Sequence, residues 1–247
     1  MRSSTLFVIL FLITLVGGLI AFTPLSFVLR QSGMAERGLG WQQARGSIWH
    51  GQVTGLSWRG TPVGAINLDS DLLRMLGGGP SHHVSWVGQQ GQGQADIKAS
   101  RDSVLADHVN LNLPLTDEWN VDPMIAQLGG SIRLSDGQVR LAGERCESAA
   151  GTVTSDVVRL AAAGFGRDWP IVSGPLGCLN GQLEADLSGK AADGTVLHMM
   201  FSQSAGLRVT VAEADDEVKA NLAFAGFRDE NGTLIYERPL KPEGSRP

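Results

Sequence analysis

The sequence predicts a mainly β protein: an N-terminal transmembrane helix, then a curved antiparallel β-sheet meander or roll with one or two short helices. Three observations predict it. Apolar and polar residues alternate along most of the chain beyond the first apolar run, the period at which side chains leave opposite faces of a strand. Dipeptides that supply positive φ in tight turns recur between these runs. Glycine makes up 32 of 247 residues while charged residues reach only 18%, a balance that suits a turn-rich β chain better than a helical bundle. The length fits one domain or two small ones, with ample chain for a buried core.

The first element is the run "TLFVILFLITLVGGLIAF", residues 5–22, which carries no charge, extended by "TPLSFVL" to Leu29. A helix of that length crosses a hydrocarbon core of roughly 30 Å. The rival is a cleavable signal peptide, whose apolar region spans only about 7–15 residues and ends in small residues. Bulky "FTPLSF" stands where cleavage needs small side chains, which favours a retained anchor. The expected organisation is a cytoplasmic stub and anchor over 1–30, a β-rich domain over 31–240 and a flexible tail over 241–247. Arg2 before the run and Arg30, Arg37 and Arg45 after it do not by themselves place the C-terminal side outside. Large domains translocate largely regardless of such charges, and the cysteines favour an exported domain.

Strands follow in order. "VNLNLPL" puts Val109, Leu111, Leu113 and Leu115 on one face. "SIRLSDGQVRL" resembles a complete hairpin, Ile132 and Leu134 folding back on Val139 and Leu141 around Asp136-Gly137. "GQLEADLSG" and "GLRVTVAE" alternate cleanly, and "EVKANLAFAG" aligns Val218, Ala220, Leu222 and Phe224 as a further strand. Asn180-Gly181, Asp193-Gly194 and Asn231-Gly232 supply the turns. Short helices are expected at 69–76, "DSDLLRML", and at 122–128, "DPMIAQL", where Asp122 caps and Pro123 takes the first helical position. "GQQGQGQ", 88–94, reads as a mobile hairpin end. A weak halving, residues 46–115 against 130–226, allows two stacked β units without demonstrating a duplication.

Cys146 and Cys178 are the only cysteines, both beyond the apolar run. An even, minimal count suits an oxidising compartment, so a disulfide and a periplasmic domain are expected; two buried thiols are the alternative. The bridge closes a loop that the chain-entropy model values at about 3.5 kcal/mol.

No catalytic or metal constellation emerges. In "ARGSIWHGQV", residues 44–53, His50 lies beside Ser47 but has no nucleophile elbow and no ordered acid. His82 and His83 are adjacent, so on a strand they point to opposite faces; adding His108 makes only a weak metal candidate. Asp215, Asp216 and Glu217 read as a solvated turn, lacking calcium-loop spacing. Trp49 and Trp58 are expected to anchor the start of the sheet near the membrane, with Gly46 and Gly51 allowing a bulge or close backbone approach. Residues 31–247 hold 18 basic and 25 acidic groups, a poor match for nucleic acid. No enzyme, cofactor or metal is expected.

The anchor, "ARGSIWHGQVTGLSWRG", "INLDSDLLRML" and the closing "ANLAFAGFRDENGTLIYERP" together resemble the type II secretion system protein N family. The most specific piece is Gly46-Ser47-Ile48-Trp49-His50-Gly51. The resemblance implies a bitopic inner-membrane protein with a periplasmic β domain, non-enzymatic, whose partners are other inner-membrane type II secretion subunits and the lipid bilayer. Exposed strand edges would be the docking sites. The alternative is an AsmA-like envelope protein that binds lipid or another apolar ligand in a β groove, favoured if few helices cover the dry faces of the strands.

Overall fold

A computed structural model describes residues 18, 22–70, 81–100, 102–115, 127, 129–202 and 206–238. The chain divides into two compact units, one running to Gln89 with Asp96–Lys98, the other made of Gln90–Ala95 and Ala99 onward. The first holds helix α1 (Leu25–Gln31) and strands β1 (Leu39–Gly40), β2 (Gln43–Gly46), β3 (His50–Trp58), β4 (Thr61–Ser70) and β5 (His82–Gly88). Strand β6 (Gly91–Ala99) is shared between them. The second holds β7 (Ser103–Pro114), β8 (Ser131–Ala142), β9 (Arg145–Ser155), α2 (Val157–Ala163), β10 (Val172–Leu179) and β11 (Gln182–Lys190). It continues through β12 (Val196–Ser202), β13 (Gly206–Ala212), α3 (Asp216–Phe224), β14 (Arg228–Glu230) and β15 (Thr233–Arg238).

The protein is mainly β, and its strands form one antiparallel sheet. The order is β1-β3-β4-β5-β6-β7-β8-β9-β10-β11-β12-β13-β15-β14, with β2 also on β3. Nearly every strand pairs with its successor in the chain, which is a meander. Tight turns make this possible. Asn180 and Gly181 (φ 54° and 79°) and Asn231 and Gly232 (56° and 86°) both adopt positive φ, as two-residue hairpin turns of the twist-matched type require. Arg59-Gly60 does the same at 49° and 85°, although arginine is an unusual residue for that position.

Several expected elements differ. Residues 131–142 form one strand, not a hairpin. Asp136 has φ 50° but Gly137 does not have positive φ, so the chain bulges and runs on instead of reversing. The pairing with β7 shifts at Val109, and that with β9 shifts between Ser135 and Gln138. With β7 and β9 bonding both its edges, the long strand satisfies its ladder on both sides. Residues 216–224 form α3, not a strand: the Asp215 carboxylate accepts from the Val218 N–H at 2.9 Å, a side-chain cap. Asp216 and Glu217 thus open a helix, near its positive end, and are not a turn. Asp69 and Ser70 end β4, paired with His83 and His82, so they do not start a helix. The rest of the expected helix at 69–76 and most of that at 122–128 lie outside the described residues, as does the tail at 241–247. In the 88–94 stretch only Gln89 and Gln90 turn; Gly91 onward is β6. Three short helices are found among the described residues, and none is long and apolar enough to cross a membrane. Apart from Gly18 and Phe22, the apolar run 5–22 lies outside the described residues.

Each unit has its own core. In the first, Leu25, Val53 and Leu56 are buried, with Leu29, Trp41 and Ile66 packed around them. In the second, Val172, Leu187, Leu197, Val211 and Leu234 of the sheet are covered by Val157, Val158 and Ala162 of α2 and by Val218 and Leu222 of α3. Trp169 fills the space beside α2, edge-on to Phe165 at 5.6 Å. Cys146 of β9 and Cys178 of β10 form a disulfide, their Cα atoms 5.7 Å apart.

Candidate functional site

The candidate site is the segment joining β2 to β3, residues 46–51, which contacts the chain at Thr23, Pro24 and Leu25, where the apolar run ends. Proline lacks an N–H and disfavours helix at the residue before it. The Phe22 N–H donates to the Gly18 carbonyl at 3.0 Å with helical spacing, and Thr23-Pro24 then interrupts that path. Pro24 starts α1 instead, its carbonyl accepting from the Phe27 N–H at 3.1 Å.

Three residues at this break are held by the loop. The Ile48 N–H donates to the Thr23 carbonyl at 3.3 Å. Pro24 forms an isolated antiparallel bridge with Ser47. Leu25 is buried over Gly51, where an added Cβ would come within 2.6 Å of both Leu25 Cδ2 and the Ser47 carbonyl. The loop itself is braced by the Ser47 hydroxyl, which accepts from the N–H groups of Trp49 at 3.3 Å and His50 at 3.2 Å. The Ser47 N–H donates to the His50 carbonyl at 2.9 Å, and the Trp49 carbonyl accepts from the Ser70 N–H at 2.7 Å. Gly46 pairs with Gly51 at φ 82°, where a Cβ would collide with the His50 carbonyl. The Ser47 hydroxyl thus braces the backbone of the loop.

The sequence-derived motif residues lie as follows. Gly46, Trp49 and Gly51 come together in the loop, the half-buried Trp49 ring stacking on His82 at 6.4 Å. Trp58 does not join them. It ends β3, eight residues beyond His50 and so about 26 Å away along the strand. There it is 40% exposed, with the Arg59 guanidinium over its ring at 5.6 Å. His50 is exposed at the start of β3. His82 contacts Ser70 and His83 contacts Asp96 at 2.8 Å, so the two histidines do serve different neighbours. His108 sits at the β7 bulge with φ 51°. Among the described residues no three metal-ligating side chains cluster.

Thr23, Pro24 and Leu25 were not singled out by the sequence. A proline right after a long apolar run was the available signal.

A charged cluster in the second unit gathers around Arg167. Arg167 reaches Asp215 at 2.6 Å, Glu217 at 3.0 Å and Asp193 at 3.9 Å, tying the cap of α3 to the β11–β12 turn. Burial works to lower the Arg167 pKa, but the neighbouring Asp215 and Glu217 carboxylates outweigh it and hold the value above the ordinary one. The Asp193 carboxyl is held below its usual range, first by hydrogen bonds from Thr195 and then by Arg167.

The family model for type II secretion system (T2SS), protein N, matches residues 37–235, from the turn before β1 into β15. No curated protein and no solved structure matches.

Proposed function

This chain belongs to the type II secretion system protein N family, and we propose that it acts there as a non-enzymatic, single-pass inner-membrane component. Residues 5–22 form the anchor, the two β units stand in the periplasm, and their surfaces contact other inner-membrane secretion subunits. The observation that carries this reading is the grip of the Gly46–Gly51 loop on Thr23, Pro24 and Leu25. A flexible tether would need no such grip; a part that must hold a sheet at a set angle to the membrane does. The disulfide between Cys146 and Cys178 supports an oxidising compartment.

The lipid-groove alternative depended on dry strand faces left without helices. In the second unit α2 and α3 pack Val157, Val158, Ala162, Val218 and Leu222 onto that face, which favours the scaffolding reading.

Thiol labelling in intact cells tests the topology. An impermeant maleimide is expected to label Cys146 and Cys178 only after reduction by an impermeant reductant. Labelling without reductant and only after the inner membrane is opened sinks the periplasmic assignment. Affinity purification of the full chain from membranes is expected to bring secretion subunits with it; loss of that recovery on deleting residues 1–22 is the expected control.

A further inference from the structure

The outward face of α1 carries two large apolar side chains, Phe27 and Val28, beside Arg30 and Gln31. Leu25 and Leu29, four residues apart, turn inward onto Val53 and Leu56. Phe27, rotated by about 200° from Leu25 on a helical wheel, is 57% exposed. Phe22 is 83% exposed, Met34 43% and Val28 37%. Four of the twelve exposed large apolar side chains among the described residues thus fall within residues 22–34. Exposed patches of this kind mark a binding surface.

We infer that α1 rests on the bilayer surface, with Phe27 and its apolar neighbours seated where the headgroups meet the acyl chains. The inference rests on the anchor reading above. If the chain leaves the hydrocarbon at Phe22, Phe27 cannot be far from it. Two extended residues and three of helical rise span at most about 12 Å, comparable to the roughly 5–10 Å depth at which interfacial helices lie. The loop at 46–51 leaves no slack to lift α1 away, since it bonds Thr23 and Pro24 directly. Charge agrees with this occupant. Arg30 lies one turn from Phe27 and is exposed, as are Arg37 and Arg45, with Glu36 the acidic residue nearby. Arginines at this depth pair with anionic phosphates while aromatic rings enter the boundary. Lipid, then, covers this face, and the loop sets the sheet's angle to the membrane by pressing α1 against it.

Spin labelling of the full chain tests this. The two native cysteines are joined to each other, so a nitroxide on Phe27→Cys reports one site. Phe224→Cys, on the 90% exposed Phe224 of α3, is the aqueous control. The protein is reconstituted into phosphatidylethanolamine vesicles containing phosphatidylglycerol. Relaxation by oxygen relative to that by a water-soluble nickel chelate is expected to be several-fold higher at Phe27→Cys than at Phe224→Cys, and likewise raised at Val28→Cys. Equal ratios at Phe27→Cys and Phe224→Cys, in protein that resists carbonate extraction, overturn the inference and leave the anchor standing. Extraction by carbonate overturns the anchor and the inference with it. Dipolar broadening between Phe27→Cys labels means that a second copy covers the face, which also overturns it.

Discussion

Among the described residues, the first unit buries three apolar side chains in its core cluster and the second buries seventeen. The two units therefore hold their folds by different means. The second has helices over its sheet, a disulfide across β9 and β10 and a fully buried tryptophan. The first relies on backbone devices: two facing glycines, a serine-braced loop and a short helix pinned by Leu25 and Leu29. A thin core tolerates less loss, yet the first unit is the one bonded to the chain leaving the apolar run. Its contacts are hydrogen bonds and close backbone approach more than buried apolar side chains.

The comparison can be broken most sharply in the larger core. Trp169→Ala is expected to cost about 3–5 kcal/mol, read as a lower midpoint in urea denaturation of the purified chain. If it moves signals from Trp41 and Trp49 as far as those from the second unit, the units unfold together and the contrast fails. Replacing Cys146 and Cys178 together by serine should remove about 3.5 kcal/mol, seen as a drop in Tm that reductant then no longer increases.

Leu25→Ala probes the first unit, with an expected loss of about 2–3 kcal/mol. Hydrogen exchange should accelerate at Ile48 and Val53 and stay unchanged at Leu197 and Val211. Faster exchange at Leu197 would mean that the loop's grip stabilises both units. Gly46→Ala, at φ 82° and against the His50 carbonyl, should cost about 1–3 kcal/mol by the same measurement, a large effect for one methyl group.

The smallest effect is expected on the surface of the second unit. The Asp193 carboxyl titrates below its unfolded value of about 3.9. A depressed carboxylate stabilises the fold fully above that unfolded value, and the contribution disappears as pH falls through the folded one. Asp193→Asn should therefore lower Tm slightly at neutral pH, converge with the unaltered chain below about pH 4, and so shrink the fall in Tm on acidification. An unchanged acid limb would show that Thr195 and Arg167 do not depend on that charge.

Much of the fold was legible because strand alternation and asparagine–glycine turns are local. Leu183, Ala185 and Leu187 alternate in the sequence and face the core or its rim in β11. The failures are instructive. Val218 and Leu222 satisfy both a period of two and the i, i+4 spacing of a helix. Asp215 decides between them by capping Val218, and leaves Ala220 and Phe224 exposed. Asp136-Gly137 carries turn chemistry, but one residue with positive φ only kinks a strand bonded on both edges. At the candidate site, Gly46, Trp49 and Gly51 stood out in the sequence, while the partners Thr23, Pro24 and Leu25 did not. Those partners lie more than twenty residues upstream, and no local pattern couples them.

By itself the sequence determined the strand-rich class, the meandering order and the family, since each depends on residue type and short spacing; it offered two cysteines, and the structure joined them. The tertiary structure decided that residues 131–142 run on through a bulge as one strand, that 216–224 form a helix, and that the Gly46–Gly51 loop grips the exit of the apolar run. The strand and the grip turn on which backbone groups find partners far away in the chain, and pairing over such distances leaves no periodic trace among neighbouring residues. The helix turns on the Asp215 cap and on Val218 and Leu222 reaching the core together.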